Sequence, residues 1–157
     1  MQDTLPIHFA PLQGYTEAIY RNAHDAFFGG VDTYYTPFVR LEKGNFRRRD
    51  VRGIEPENNG VPHLIPQLIA SSAEKAEVIL SLFIEKGYQE VDINLGCPFP
   101  LLAKRHNGSG ILPYPEEVKA LLSIVTRYPQ ISFSVKMRLG WEQPDECLAL
   151  APILNDL

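Results

Sequence analysis

Residues 90–100 read EVDINLGCPFP, and this stretch decides the fold. Val91, Ile93 and Leu95 alternate with Asp92 and Asn94, which is the period of a short strand with one apolar and one polar face. Gly96 ends it. Pro98 has no N–H to give to a ladder, so Cys97 is presented on a loop at the strand's carboxyl end, where alternating α/β folds place their ligands. A free cysteine is commonly a small buried hydrophobe. Here the thiol is framed by Gly96 and Pro98, which shape backbone rather than pack. The strand leading to it carries two polar side chains that are costly to bury without partners. A site that uses Asp92 and Asn94 explains them.

On either side of this motif, strand and helix signals alternate. Residues 5–10 (LPIHFA) predict a first strand closed by Pro11, then a loop through Leu12, Gln13 and Gly14. A helix capped by Thr16 follows, with Ile19, Ala23, Ala26 and Phe27 on one face and Gly29-Gly30 at its end. Residues 32–40 (DTYYTPFVR) predict a second strand whose later half Pro37 makes an edge or an end. The period then fades over residues 41–62, a polar segment with Arg47, Arg48, Arg49 and Arg52 close together. That segment reads as a solvated face or mobile loop, with contact to RNA phosphates as the alternative.

Residues 63–70 (HLIPQLIA) predict a third strand, apolar except for Gln67. Ser71 or Ser72 caps a helix with Ala76, Ile79, Leu80 and Phe83 at helical spacing, ended by Gly87. The fourth strand carries the Cys97 motif. A helix over residues 115–127 leads to a fifth strand over residues 131–139 (ISFSVKMRL), and residues 144–157 begin another helix. Such alternation predicts a parallel sheet with right-handed crossovers. No GxGxxG follows the first strand, and polar or reactive residues recur at successive strand ends. Both features point to an α/β TIM (β/α)8 barrel rather than a doubly wound sheet. A whole barrel takes roughly 250 residues, so the chain is expected to be its first five or so βα units.

At 157 residues and 45% hydrophobic content, the chain has material for one core. The formal net charge of -4 gives nucleic-acid binding no support by itself, since local positive charge is what matters. Cys97 and Cys147 have neither zinc-like spacing nor the number needed for a disulfide scaffold, so no metal site is expected. No apolar run approaches the roughly 20 residues that span a bilayer, and no signal-like start is present. A soluble, cytoplasmic protein is the expectation. Cys147 reads as structural, and His8 and His24 as core and helix-surface residues.

The residues that carry chemistry are Ala10-Pro11-Leu12-Gln13-Gly14-Tyr15-Thr16, Gln67, Asp92-Ile93-Asn94-Leu95-Gly96-Cys97-Pro98, Lys104-Arg105, Gly108-Ser109-Gly110 and Val135-Lys136-Met137-Arg138-Leu139-Gly140. In this order over nearly the whole chain, they closely resemble the amino-terminal part of the tRNA-dihydrouridine synthases. Each piece alone is weak. NxGCP with a downstream KxRxG is specific.

The resemblance implies an FMN-dependent barrel that reduces the C5–C6 double bond of particular uridines in tRNA, with NADPH or NADH reloading the flavin. Residues 1–157 would then be part of the catalytic domain, without the rest of the barrel or a helical tRNA-binding domain. It implies that hydride reaches C6 while Cys97 gives a proton to C5. Thiols in general titrate near ~8.5 and so suit a donor at neutral pH. Pro11, Leu12 and Gln13 match the loop against the flavin ring, although Leu12 and Gln13 depart from the residues usual there. Gln67 matches a hydrogen-bonding partner of the flavin pyrimidine. Lys136, in an apolar strand where a lone ammonium is expensive, matches a residue near flavin N1 and O2, with an ion pair to Asp92 as the alternative.

Asn94 matches a residue that reads the target uracil, and Arg138 is placed in the same pocket. Lys104 and Arg105 match residues that hold the RNA; His106 and Asn107 depart from the small residues common beside them. The target base has to leave its stack to react. An isolated piece of barrel is expected to be inactive, to bind FMN weakly and to self-associate through open sheet edges. A barrel oxidoreductase acting on a free pyrimidine, of the dihydroorotate or dihydropyrimidine dehydrogenase kind, is the alternative enzyme. An RNA-binding fragment without catalysis is the non-enzymatic one.

Overall fold

The computed structural model describes residues 5–157. In chain order its elements are β1 (His8–Phe9), α1 (Ala18–Phe27), β2 (Thr33–Tyr35), β3 (Leu41–Glu42), β4 (Asn45–Phe46), α2 (Arg48–Ile54), β5 (Leu64–Ile65), β6 (Gln67–Leu68), α3 (Ala73–Glu85), β7 (Glu90–Leu95), α4 (Pro100–Ala103), α5 (Pro115–Arg127), β8 (Ser132–Met137) and α6 (Glu146–Asn155). Short 3-10 turns lie at Pro56–Asn58 and Gly108–Ile111.

Parallel pairing runs β1-β2-β5 and β6-β7-β8. Pro66, which cannot donate to a ladder, separates β5 from β6, but the segment stays paired on both flanks. Val39 N–H donates to the Gln67 carbonyl at 2.8 Å, and Asp92 N–H to the Pro66 carbonyl at 3.0 Å. Each parallel strand therefore neighbours the next one along the chain, with no reversal of order among the described residues. This is a mixed α/β fold with parallel sheets and helices.

The apolar side of β7 sets the core. Val91, Ile93 and Leu95 are fully buried, together with Ile79, Leu80 and Phe83 of α3 and Leu121 and Leu122 of α5. Helix α5 spans the predicted residues, and Ser72 caps α3 as expected, accepting from Lys75 N–H at 3.5 Å. Outer strands are shorter than the sequence implies: β1 keeps two residues of the predicted six, and β2 stops before Pro37.

Three expectations are corrected. Residues 41–62 are not a featureless loop but a β3–β4 hairpin, helix α2 and a 3-10 turn. What orders them is distant in sequence. The fully buried Arg21 donates to the carbonyls of Thr16 (2.6 Å) and Gly53 (2.8 Å) and to Asn59 Oδ1 (2.5 Å). Its burial pushes the guanidinium pKa down to about 10. Among the arginines of that segment, Arg47 pairs with the buried Asp50 at 2.7 Å.

Second, α1 turns Ala18 and Arg21 inward, leaving Ile19 80% and Phe27 84% exposed. Third, Thr16 does not cap α1. Its Oγ1 accepts from Leu12 N–H at 2.8 Å and closes the loop instead, while Glu17 holds the N-cap position.

Candidate active site

On β7 the side opposite the core is polar. Parallel register sets Gln67 beside Asp92, Asp92 beside Ser134, and Asn94 beside Lys136, so these five residues share one sheet face. Gln67, Asp92 and Asn94 are 1%, 2% and 8% exposed. Buried polar groups at this density have to satisfy one another.

They do so in one direction. Asp92 Oδ2 accepts from Gln67 Nε2 at 2.6 Å, and Asp92 Oδ1 accepts from Ser134 Oγ at 2.7 Å. Gln67 Oε1 accepts from Asn94 Nδ2 at 2.7 Å. Asn94 Oδ1 then accepts the backbone N–H groups of Gly96 (3.1 Å) and Cys97 (2.9 Å). Amide orientations are often ambiguous, but here both ends are fixed. A carboxylate that only accepts stands at one end, and N–H groups that only donate stand at the other. The relay carries an orientation from Asp92 to the backbone that bears the thiol.

Cys97 is gripped from its other side as well. Its carbonyl accepts both the N–H and the Oγ of Ser109, each at 3.0 Å. Gly108, at φ +61°, lies so close that a Cβ there would meet Cys97 O at 2.6 Å and Cys97 Cβ at 2.8 Å. Arg138 Nε donates to the Gly96 carbonyl at 2.7 Å and ties the ends of β7 and β8 together. Past Arg138, Glu146 accepts from the N–H groups of Trp141, Glu142 and Gln143 at 2.6–2.9 Å. Desolvation alone would raise its carboxyl pKa, but the three N–H groups together outweigh it and hold the value low. Gly140 leaves no room for a side chain, since a Cβ would lie 1.7 Å from Gln143 O.

Burial raises the carboxyl pKa of Asp92, while the hydrogen bonds from Ser134 and Gln67 and the charge of Lys136 oppose the shift. A folded value above the unfolded one adds stability below the unfolded pKa, and that stability is lost as pH rises through the folded pKa. Asp92→Asn is therefore expected to gain on the wild type as pH rises above about 4, the ordinary carboxyl value. Urea denaturation across that rise in pH checks it, and a constant difference between the two proteins would contradict it.

The other residues singled out in the sequence fall as follows. Lys136 is exposed and has no ion-pair partner among the described residues, which corrects its expected burial and the alternative pair with Asp92. It sits at the rim, where its ammonium stays hydrated. Gln67 does not depend on a ligand for its first hydrogen bonds, because Asp92 and Asn94 supply them. Pro11 is half-buried and Leu12 is 58% exposed. Both polar atoms of the Gln13 amide are shielded without a partner. Lys104 and Arg105 are exposed just after α4. His106 turns the chain there at φ +53°, stacked on Tyr114 at 4.2 Å and bonded to Glu117 at 2.7 Å, so its departure from a small residue is accommodated.

Cys97 is half-buried; Cys147 lies on α6 with its thiol 3.4 Å from the Pro144 carbonyl. His8 is exposed rather than in the core, bonded to Tyr35 at 3.0 Å, and His24 meets Tyr34 at 3.0 Å. Sequence reasoning misses Ser134, which touches Asp92, and names Ser109 only within the Gly108-Ser109-Gly110 motif, without its contact with Cys97. Among the described residues no His, Cys, Asp and Glu cluster suits a metal, and no helix is long and apolar enough to cross a membrane.

A planar, polar-edged ring such as a flavin suits this donor set. The Gln13 amide is unpartnered, Gln67 and Asn94 each keep a second N–H, and the Lys136 ammonium is uncommitted on the same face.

Comparison with known proteins gives a consistent result. The family model described as "Dihydrouridine synthase (Dus)" matches residues 8–157. The chain is 30% identical over 161 residues to a tRNA-dihydrouridine(16) synthase of Pseudomonas putida, covering 97% of this chain and 49% of that protein. It is 29% identical over 139 residues to a probable tRNA-dihydrouridine synthase 1 of Synechocystis sp., covering 85% of this chain and 37% of the relative. To tRNA-dihydrouridine synthase B of Klebsiella pneumoniae it is 30% identical over 91 residues, 57% of this chain and 28% of the relative. The chain thus spans between about a quarter and a half of the length of these relatives. With a family match that begins in β1 and runs to Leu157, the chain belongs to the dihydrouridine synthase family.

Proposed function

We propose that this chain is the amino-terminal part of an FMN-dependent (β/α)8 barrel that reduces the C5–C6 double bond of specific uridines in tRNA in the cytoplasm, with NADPH or NADH as the reductant. One observation carries the proposal: the Cys97 backbone is locked by Asn94 and Ser109 at the edge of the polar face that Gln67, Asn94 and Lys136 share. The uninterrupted strand order fits a barrel, in which each strand neighbours the next in sequence.

When bound, reduced flavin supplies the hydride for C6 of the uracil. Every other task falls to residues of the chain. The Cys97 thiol donates its proton to C5, and its partial exposure lets water reload it. Gln67 would hydrogen-bond the flavin pyrimidine, and Pro11, Leu12 and Gln13 would form the loop against the ring. Lys136 would hold the flavin by setting a positive charge near its N1 and O2, offsetting the negative charge the ring carries when reduced. Asn94 directs its remaining N–H at the uracil while holding the thiol loop. Arg138 fixes Gly96 and keeps its terminal N–H groups for the substrate. Lys104 and Arg105 hold the extruded nucleotide's strand.

Further barrel strands would cover the open sides of β1 and β8 and the exposed Ile7, Ile19, Phe27 and Phe28. Without such cover, those surfaces favour self-association. Nucleoside mass spectrometry of tRNA from cells with and without the gene tests the function. Loss of dihydrouridine at defined positions is expected, and an unchanged dihydrouridine content would rule the activity out.

A further inference from the structure

A cleft of about 670 Å³ opens between the β3–β4 hairpin, the first turn of α3 and the loop after α4. Four cations line it, Arg40, Lys43, Lys75 and Arg105, against one carboxylate, Glu42. In a chain of net charge -4 this concentration is local and one-signed. Glu42 pairs with Arg40 at 3.3 Å, and Lys75 Nζ donates to Ser71 Oγ at 2.9 Å. Among the described residues Lys43, Lys75 and Arg105 have no carboxylate partner.

Backbone conformation adds a second observation. Lys43 and Gly44 form the hairpin tip with φ of +52° and +80°, the two-residue turn in which Asn, Asp or Gly is usual at the first position. A lysine there is a strained choice for a turn, and it adds an ammonium to the cleft wall.

The cleft also lies on the rim that bears the thiol. Ile69, Ala70 and Ser71, which follow β6, line it together with Leu102 and Arg105, which follow the Cys97 loop.

We infer that this cleft is a binding site for successive backbone phosphates of an RNA strand whose target base enters beside Cys97. The inference rests on the proposed tRNA activity and extends it to Arg40, Lys43 and Lys75. Several uncompensated cations along one open cleft match a run of phosphates better than a single anion, and an enzyme for a free pyrimidine has no use for them.

Fluorescence anisotropy of the full-length protein with an unmodified tRNA transcript, at several salt concentrations from about 50 to 200 mM, tests it. Lys43→Asn suits the turn better than lysine does and Lys75→Gln preserves a helix former, so the double variant is expected to fold; thermal unfolding confirms it. It should bind roughly tenfold more weakly at the upper salt concentration, with a log–log salt slope smaller by about 1.5–2. Lys119→Gln, exposed on α5 away from the cleft, should match the wild type. A double variant with wild-type affinity and slope overturns the cleft assignment and leaves tRNA binding standing. A wild type that does not bind tRNA removes the tRNA activity itself, and this site with it.

Discussion

Gly108→Ala is expected to destabilise the protein by about 2–5 kcal/mol and to disturb Cys97 selectively, from two physical sources. Its φ of +61° is left-handed, which costs an alanine on the order of 1–2 kcal/mol. The added Cβ would also lie 2.6–2.9 Å from the O, Cβ and N of Cys97, and most of those atoms are backbone with nowhere to yield. Overpacking of this kind typically adds about 1–3 kcal/mol. Gly87 separates the two sources. At φ +85° it carries the same kind of backbone strain, but a Cβ there would have nothing within 4 Å. Gly87→Ala should therefore show the strain alone, and urea denaturation of both variants measures the difference. Iodoacetamide labelling followed by peptide mass spectrometry should find Cys97 alkylated faster in Gly108→Ala and Cys147 unchanged. Equal stability losses in the two variants would show that the contact with Cys97 is not tight.

The part of the site that is legible in the sequence is the part encoded over a few adjacent residues. Alternation in Glu90–Leu95 gives both faces of β7, and Gly96 and Pro98 mark where the strand must stop. Once Gln67, Asn94 and Lys136 sit near the ends of consecutive parallel strands, register puts them on one face. Helix α5 is equally legible, because its apolar period and flanking prolines are local signals.

What is not legible depends on partners distant in sequence. Residues 41–62 carry little period, yet Arg21, some 30 residues earlier, binds the Gly53 carbonyl and Asn59 and gives the segment its shape. Ile19 and Phe27 have the spacing of a buried face, but a period says only which residues share a side, not whether an element covers it. Lys136 looks stranded among apolar neighbours in a linear reading. On β8 its neighbours Val135 and Met137 pack toward the core while Lys136 points the other way. Ser109 could be suspected from the glycines around it, but nothing local announces that it holds the carbonyl of Cys97, twelve positions earlier.

Cys97→Ala has the largest expected effect on activity. The substitution removes the proposed proton donor but none of the hydrogen bonds that hold the loop, which all use backbone atoms of residue 97. Fold and flavin affinity should therefore persist while the protonation step slows by a factor of about 10²–10⁴, the usual contribution of a positioned acid. Cys147→Ala, removing a thiol bonded only to the Pro144 carbonyl, should leave the rate within about twofold of wild type, as expected for a group outside the reaction.

The central claim is that the thiol after β7 completes the reduction of a uracil. Its most direct test is single-turnover oxidation of the reduced full-length flavoprotein by unmodified tRNA, followed at the flavin absorbance, with wild type and Cys97→Ala side by side. The prediction is rapid oxidation with stoichiometric dihydrouridine for the wild type, and at least about a hundredfold slower oxidation for a variant that still binds flavin and tRNA. Oxidation of Cys97→Ala at the wild-type rate would contradict the account.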